Sequence, residues 1–355
     1  MYSYKRIAVK IGSQALARAD GKPDVTQMSA IVDQIASLHA DGIDVVIISS
    51  GAVASGRGEI KTTRKLDAIS SRQLYSAVGQ ARLINRYYEL FREYGIICGQ
   101  VLTTKENFAS RTHYLNQKRC MEVMLDNDVI PIVNENDTVA VTELMFTDND
   151  ELGGLIAAMM NMDALVILSN VDGIYAPGTT DVIAEISRED DLSALVQPGK
   201  SSFGRGGMLT KCKIARKVAD EGIEVIIANG RSPQILPRVL EIGSKALCTR
   251  FPPAPKAVSS LKKWIAHSDD FAKGEIYLNP GAVEALLGPK AVSVLPVGVT
   301  AVKGTFDRDD IVLLINHEGR RIGVGCAACD SAEASAMIGK RDAKPLIHYD
   351  YLYLD

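Results

Sequence analysis

The chain has 355 residues, 46% of them hydrophobic and 23% charged, with 40 Lys and Arg against 43 Asp and Glu. That length suits about two domains. A net charge of −3 recruits neither nucleic acid nor an anionic membrane. The opening MYSYKRIAVKIG lacks the apolar core of a signal peptide, and no apolar run reaches membrane-spanning length. A cytoplasmic location is therefore expected, with the six cysteines reduced and in the core.

Apolar runs alternate with helix-length segments along the first 250 residues. RIAVKIG (6–12) reads as a strand; Val25, Met28, Ile31, Val32, Ile35 and Leu38 follow at helical spacing and stop before Gly42. DVVIISSG (44–51) precedes a helical pattern that runs to about Tyr94. IICGQVLT, VIPIVN, ALVILSN and EVIIANG repeat the strand theme. Runs this evenly apolar are buried on both faces, which predicts a three-layer αβα sandwich around a mostly parallel sheet. From FPPAPKA (251–257) the texture changes. Short runs with turn signals follow: GEIYLN, AVSVLP, VTAVKGTF, DIVLLIN and RIGVGCAA. The expected organisation is a large α/β domain over 1–251, a linker over 252–271 and a small β-rich domain over 272–350. From residue 258 onward the chain carries 11 Lys and Arg against 13 Asp and Glu, so this part offers no basic patch. Cys326 and Cys329 form a CxxC with no second pair and no nearby histidine; they are read as core residues rather than zinc ligands.

In a parallel sheet ligands sit at the carboxyl ends of the strands, and polar residues fall there. Lys10 closes the first strand, Ser50 and Gly51 the second; Asn134 to Asp137 follow VIPIV, and Ser169 and Asn170 follow ALVIL. A lysine inside an otherwise buried strand needs a partner. The glycines of GAVASGRG are read as letting the backbone approach an anion. Gly199-Lys200-Ser201 resembles the end of a P-loop, but Ala194 stands where that motif needs glycine. GRGGMLTK (204–211) is a glycine-rich turn entering a helix, with Lys211 in its first turns. Backbone N–H groups, helix dipole and one ammonium together suit a phosphate. NENDTVAVTELMFTDND (134–150) holds five carboxylates and three asparagines, but no histidine, cysteine or lysine.

AVKIGS, ISSGAVASG, VGQARL, PIVNENDTVA, DND, LSNVDGIY and GRGGMLTK occur in this order, and with them the chain resembles the amino-acid kinase family over nearly its whole length. The NEND and DND segments resemble its glutamate-phosphorylating branch, and the C-terminal part resembles a PUA domain. The resemblance implies ATP-dependent phosphorylation of the L-glutamate γ-carboxylate to L-glutamyl 5-phosphate, the first step of proline biosynthesis. That acceptor has a pKa of about 4.3 and is ionised at neutral pH, so the missing base is no defect. The resemblance makes Lys10, Lys211 and Asp150 catalytic, the lysines flanking the phosphoryl group and Asp150 organising them. It assigns Ser50, Gly51, Asn134, Asp137, Asp148 and Asn149 to the amino acid. It assigns Lys10, Ser169, Asn170, Arg205, Gly206, Gly207, Met208, Leu209, Thr210 and Lys211 to ATP. Mg²⁺ would arrive with ATP and no protein metal ligand is assigned. Glutamyl phosphate reductase is the implied pathway partner, proline a feedback inhibitor acting near Glu143, and a homo-oligomer the implied assembly. Ser169-Asn170 departs from the family's Thr-Asp pair, Gln14 stands where a small hydroxyl residue is common, and Arg205 replaces a usual threonine. Two alternatives stay open: another carboxylate acceptor on the same fold, and an RNA-binding PUA protein, against which the near-neutral charge speaks.

Overall fold

The computed structural model describes residues 2–18, 23–109, 111–140, 146, 149–195, 207–255, 265, 271–288, 291–341 and 343–354. The chain divides into two compact units, Met1–Asn107 with Leu115–Ala257, and Phe108–Tyr114 with Val258–Asp355. Most of the expected linker, and the Gly199-Lys200-Ser201 stretch, lie outside the described residues. Among the described residues no helix is long and apolar enough to cross a membrane.

The first unit is built on a seven-stranded sheet. Its strands are β1 Arg6–Ile11, β2 Asp44–Ser49, β3 Ile97–Thr103, β4 Val129–Glu135, β5 Ala164–Ser169, β6 Glu224–Asn229 and β7 Thr249–Phe251, in the order β3-β4-β2-β1-β5-β6-β7. The first six pair in parallel and β7 closes the edge antiparallel to β6. Every residue of β5 is buried, and so are five of the six in β1 and in β2, as their even apolarity requires. The chain leaves β1 toward β2 and later returns to its other side as β5, so the strand order reverses at β1. A crevice opens beyond the carboxyl ends at such a switch point.

Helices cover both faces. Helix α1 (Val25–Ala40) starts at Asp24, whose side chain accepts from the Gln27 N–H, and packs Ile31, Val32, Ile35 and Leu38 in one core with Ile7, Val9 and Ile11. Alternate side chains of β1 face opposite layers, which sends Lys10 to the other side. There it passes α6 (Asn149–Met159), where a Cβ on Gly153 would lie 3.3 Å from the Lys10 stem.

Between β2 and β3 the chain forms α2 (Ala52–Arg57) and α3 (Ala68–Arg92). Gly51 opens α2 with φ of +104°, a left-handed conformation that glycine adopts at little cost. Gly56 serves packing rather than an anion, contrary to the sequence reading. A Cβ there would overlap the Tyr75 carbonyl, and one on Gly79 would overlap the Ala52 carbonyl. The two backbones meet with no side chain between them.

The second unit carries a five-stranded sheet of β8 Gly274–Leu278, β9 Val299–Gly304, β10 Ile311–Ile315, β11 Arg321–Cys326 and β12 Leu352–Leu354, in the order β12-β11-β10-β8-β9. Only β8 and β10 pair in parallel. Its core gathers Ile276, Leu278, Val312, Leu314 and Ile347. AVSVLP is not a strand: Val294 makes one bridge to Ile347, and Pro296, which has no N–H for a ladder, opens a short 3-10 turn. Cys326 and Cys329 are free, buried thiols. Burial pushes the Cys326 thiol up to about 12, where it is unreactive.

Gly79→Ala tests the α2–α3 contact. On propensity alone the change would stabilise a helix interior by about 1 kcal/mol, but the overlap with the Ala52 carbonyl reverses the sign. Urea unfolding should show a loss of about 1–3 kcal/mol. A stabilised variant would mean that the helices separate freely.

Candidate active site

The carboxyl end of β1 presents a buried ammonium. Lys10 is 5% exposed, and a charge so placed is tolerated only if paired. Its partner is Asp150 in the first turn of α6, which is wholly buried; Lys10 Nζ stands 2.5 Å from Asp150 Oδ1. The other carboxylate oxygen pairs with Nζ of Lys211, from the first turn of α8 (Met208–Asp220).

Gly154 lets that happen. A Cβ there would lie 2.9 Å from Val218 and 3.2 Å from Ile214, so α6 and α8 approach closely enough for Lys211 to reach Asp150. Burial alone would raise the Asp150 carboxyl; the Lys10 and Lys211 ammoniums outweigh burial and hold it below the usual carboxylate range. Two cations and one anion leave the cluster with a net positive charge. Helix α8 adds to it. Gly207 caps its N-terminus without a side-chain hydrogen bond, leaving backbone N–H groups of the first turn for an anion.

Beside this cluster the ends of β2 and β4 carry amides and acids. Asn149, adjacent to Asp150, donates from Nδ2 to the Ser49 carbonyl (3.1 Å), Ser50 Oγ (2.8 Å) and Asn134 Oδ1 (3.2 Å). One side chain thus ties β2, β4 and α6 together. Asn134 donates to Gln80 Oε1 at 3.3 Å, and Gln80 donates to the Glu135 carbonyl at 3.0 Å. Asp137, buried just past β4, accepts from Arg72 Nε at 2.6 Å and from Ser76 Oγ at 3.3 Å. Arg72 Nη2 also reaches Glu135 Oε2 at 2.8 Å. Glu135 Oε1 accepts from the Phe146 N–H at 2.9 Å.

Arg72, Ser76 and Gln80 escaped the sequence reading. Their signal was a polar stripe at steps of four on one face of α3, beside the strand-end motifs only in space. Ser76 and Gln80 are buried.

The remaining assigned residues divide in three. Ser169 is buried at the end of β5 beside the exposed Asn170, and its strand neighbour in β6 is Asn229, which donates to Asp172 at 2.9 Å. Gly207, Met208, Leu209 and Thr210 are half-buried where α8 begins. Asp148, Arg205, Gly206 and Glu143 lie outside the described residues. The structure therefore brings Lys10, Asp150 and Lys211 into one ion cluster, and Ser50, Asn134 and Asn149 into one hydrogen-bond network.

A family model described as the amino acid kinase family matches residues 5–229, and a PUA domain model matches 274–349. A glutamate 5-kinase of Bacteroides thetaiotaomicron is 62% identical over 356 residues, covering 99% of this chain and 99% of that protein. Glutamate 5-kinases of Chlorobaculum tepidum (46% identical, 99% of this chain, 98% of that protein) and Maridesulfovibrio salexigens (37%, 99% and 96%) are also similar along their length.

Asp150→Asn leaves two cations facing an amide. At pH 7 it should cost about 3–5 kcal/mol of stability, the scale of breaking a buried pair. Because the folded Asp150 carboxyl lies below its unfolded value, its contribution is fully present above the ordinary carboxylate range of about 4. It is lost progressively as pH falls from there toward the lower folded value. Unfolding of wild type and variant between pH 7 and pH 3 should show a constant gap down to about pH 4 that narrows below. A gap independent of pH throughout would remove the carboxylate charge as its cause.

Proposed function

This chain belongs to the amino acid kinase family, and from that premise we infer that it transfers the γ-phosphoryl group of ATP to the γ-carboxylate of L-glutamate, giving L-glutamyl 5-phosphate. The observation that carries the reading is the buried Asp150 between two ammoniums, next in sequence to an asparagine that holds the ends of β2 and β4.

The nucleophile is a carboxylate oxygen that is already ionised at neutral pH. It attacks the γ-phosphorus in line, a P–O bond forms, and the bond to the β–γ bridging oxygen breaks to release ADP. No proton moves in that step, and neither a histidine nor a cysteine is required. The task left to the protein is positioning and charge stabilisation. Lys10 and Lys211 neutralise the oxygens of the transferring group from opposite sides. Asp150 holds both ammoniums in place and stays anionic throughout. Asp137 and Asp148 meet the α-ammonium of glutamate, while Ser50, the Gly51 turn, Asn134 and Asn149 receive its carboxylates. Ser169, Asn170 and residues 205–211 hold the nucleotide.

Among the described residues no group of three or more His, Cys, Asp or Glu is placed to hold a metal ion. Magnesium in this reading enters bound to ATP, as a counter-ion that asks for few protein ligands. The catalytic domain is taken as 1–251, the linker as 252–271 and the PUA-like domain as 272–350. The product is a labile acyl phosphate, so a glutamyl phosphate reductase consumes it next. Proline as end-product inhibitor, a homo-oligomer and a cytoplasmic location complete the reading.

Hydroxylamine traps acyl phosphates, so an ATP-dependent hydroxamate assay across L-glutamate, L-aspartate and N-acetyl-L-glutamate tests the reaction. Hydroxamate should form with glutamate and far less with the others. Preference for the N-acylated acid would overturn the assignment, because that acceptor has no ammonium for Asp137.

Asp137→Asn tests the subsite separately. It keeps shape but removes a charge-assisted bond worth about 1.5–3 kcal/mol. The glutamate KM should rise roughly ten- to a hundredfold while the ATP KM barely moves. The reverse pattern would exchange the two substrates.

A further inference from the structure

The acidic end of the site needs a counter-charge to keep it in order. Glu135 and Asp137 are 4% and 5% exposed and only two residues apart. Two carboxylates so placed repel each other, and water cannot screen them. Each would turn away from the other if nothing opposed it. One guanidinium opposes both. Arg72 donates from Nε to Asp137 at 2.6 Å and from Nη2 to Glu135 at 2.8 Å.

Arg72 is itself held. It sits in the second turn of α3, whose N-terminus is capped by Asp67 and whose middle is pressed on α2 at Gly56 and Gly79. Helix α2 begins at Gly51, directly after Ser50. The fork that grips the two acids is thereby referred to the turn beside the acceptor. The same face of α3 adds Ser76 to Asp137, Gln73 to the Thr138 carbonyl at 2.9 Å and Gln80 to the Glu135 carbonyl.

We propose that Arg72 is a positioning residue for acceptor recognition: its guanidinium fork, bonded to both Asp137 and Glu135, fixes Asp137 for the α-ammonium of the amino acid. This rests on the glutamate reading above. Arg72 works through Asp137 rather than on the reacting atoms, so its loss weakens acceptor binding far more than nucleotide binding or turnover.

The test uses the full chain with Arg72→Lys, Arg72→Met and Arg72→Ala, measuring KM for glutamate, KM for ATP, kcat and the thermal midpoint. Lysine keeps the charge but not the fork, so Arg72→Lys, the mildest of the three, remains informative where the others unfold. Both Arg72→Lys and Arg72→Met should raise the glutamate KM, by about tenfold or more for methionine. Their ATP KM should stay within about twofold and kcat should change less than the glutamate KM. Guanidinium ion at millimolar concentration should lower the raised glutamate KM of Arg72→Ala and leave wild type unaffected.

An unchanged glutamate KM in Arg72→Lys and Arg72→Met overturns the proposal. So does an equal loss in both KM values and kcat with a lowered thermal midpoint, which would make the fork a structural tie only. Wild-type activity is measured first. If the wild-type chain forms no hydroxamate from glutamate, the proposed function has failed; if it does and the variants behave as wild type, only the role of Arg72 has failed.

Discussion

A carboxylate with no exposure to water, gripped by two ammoniums from different elements, is the constraint on which the first unit turns. Asp150 comes from the N-terminal turn of α6, Lys10 from the middle strand of the sheet and Lys211 from the N-terminal turn of α8. Neither Asp150 nor Lys10 is tolerable alone at such depth, because an unpaired buried charge costs several kcal/mol. Together they fix where both helices stand relative to the strand. The glycines of α6 belong to the same requirement: Gly153 makes room for the Lys10 stem, and Gly154 for the close approach of α8.

From that cluster the rest of the site follows by covalent adjacency. Asn149 precedes Asp150, so the side chain that ties Ser50 to Asn134 begins one residue from the carboxylate that holds the lysines. The ion cluster and the hydrogen-bond network therefore share one helical turn. Such sharing suits a transfer between two anions, where much of the rate comes from fixed geometry and preorganised charge. The helix dipole of α6 supports the acidic first turn, which offsets part of the cost of burying Asp150.

Helix α3 forms the remaining wall, and its placement depends on a second close contact. Gly56 and Gly79 let two helix backbones touch, which brings a stripe of polar side chains from α3 against the end of β4. Arg72, Ser76 and Gln80 then meet acids and amides more than fifty residues away in sequence. Ser76 and Gln80 are buried and such polar groups need partners; each of the three has a named partner on the β4 end.

The sequence alone determined the αβα sheet, because strands buried on both faces read as unbroken apolar runs and helices as a 3.6-residue period. It also determined which residues stand at the strand ends: Lys10, Ser50, Asn134 and Ser169 each follow an apolar run directly. The need of Lys10 for a partner was legible too, since a lysine inside a buried strand cannot stay alone. What only the tertiary structure decided were the long-range pairings. The stripe of Arg72, Ser76 and Gln80 has the same spacing as a solvated helix face, and nothing local separates the two. Gly56 reads equally well as a loop glycine for an anion and as a contact point for another helix, and AVSVLP reads as a strand until Pro296 ends its ladder. Local pattern records which way a side chain faces and how flexible its backbone is; which partner stands opposite is set by packing between segments far apart in the chain.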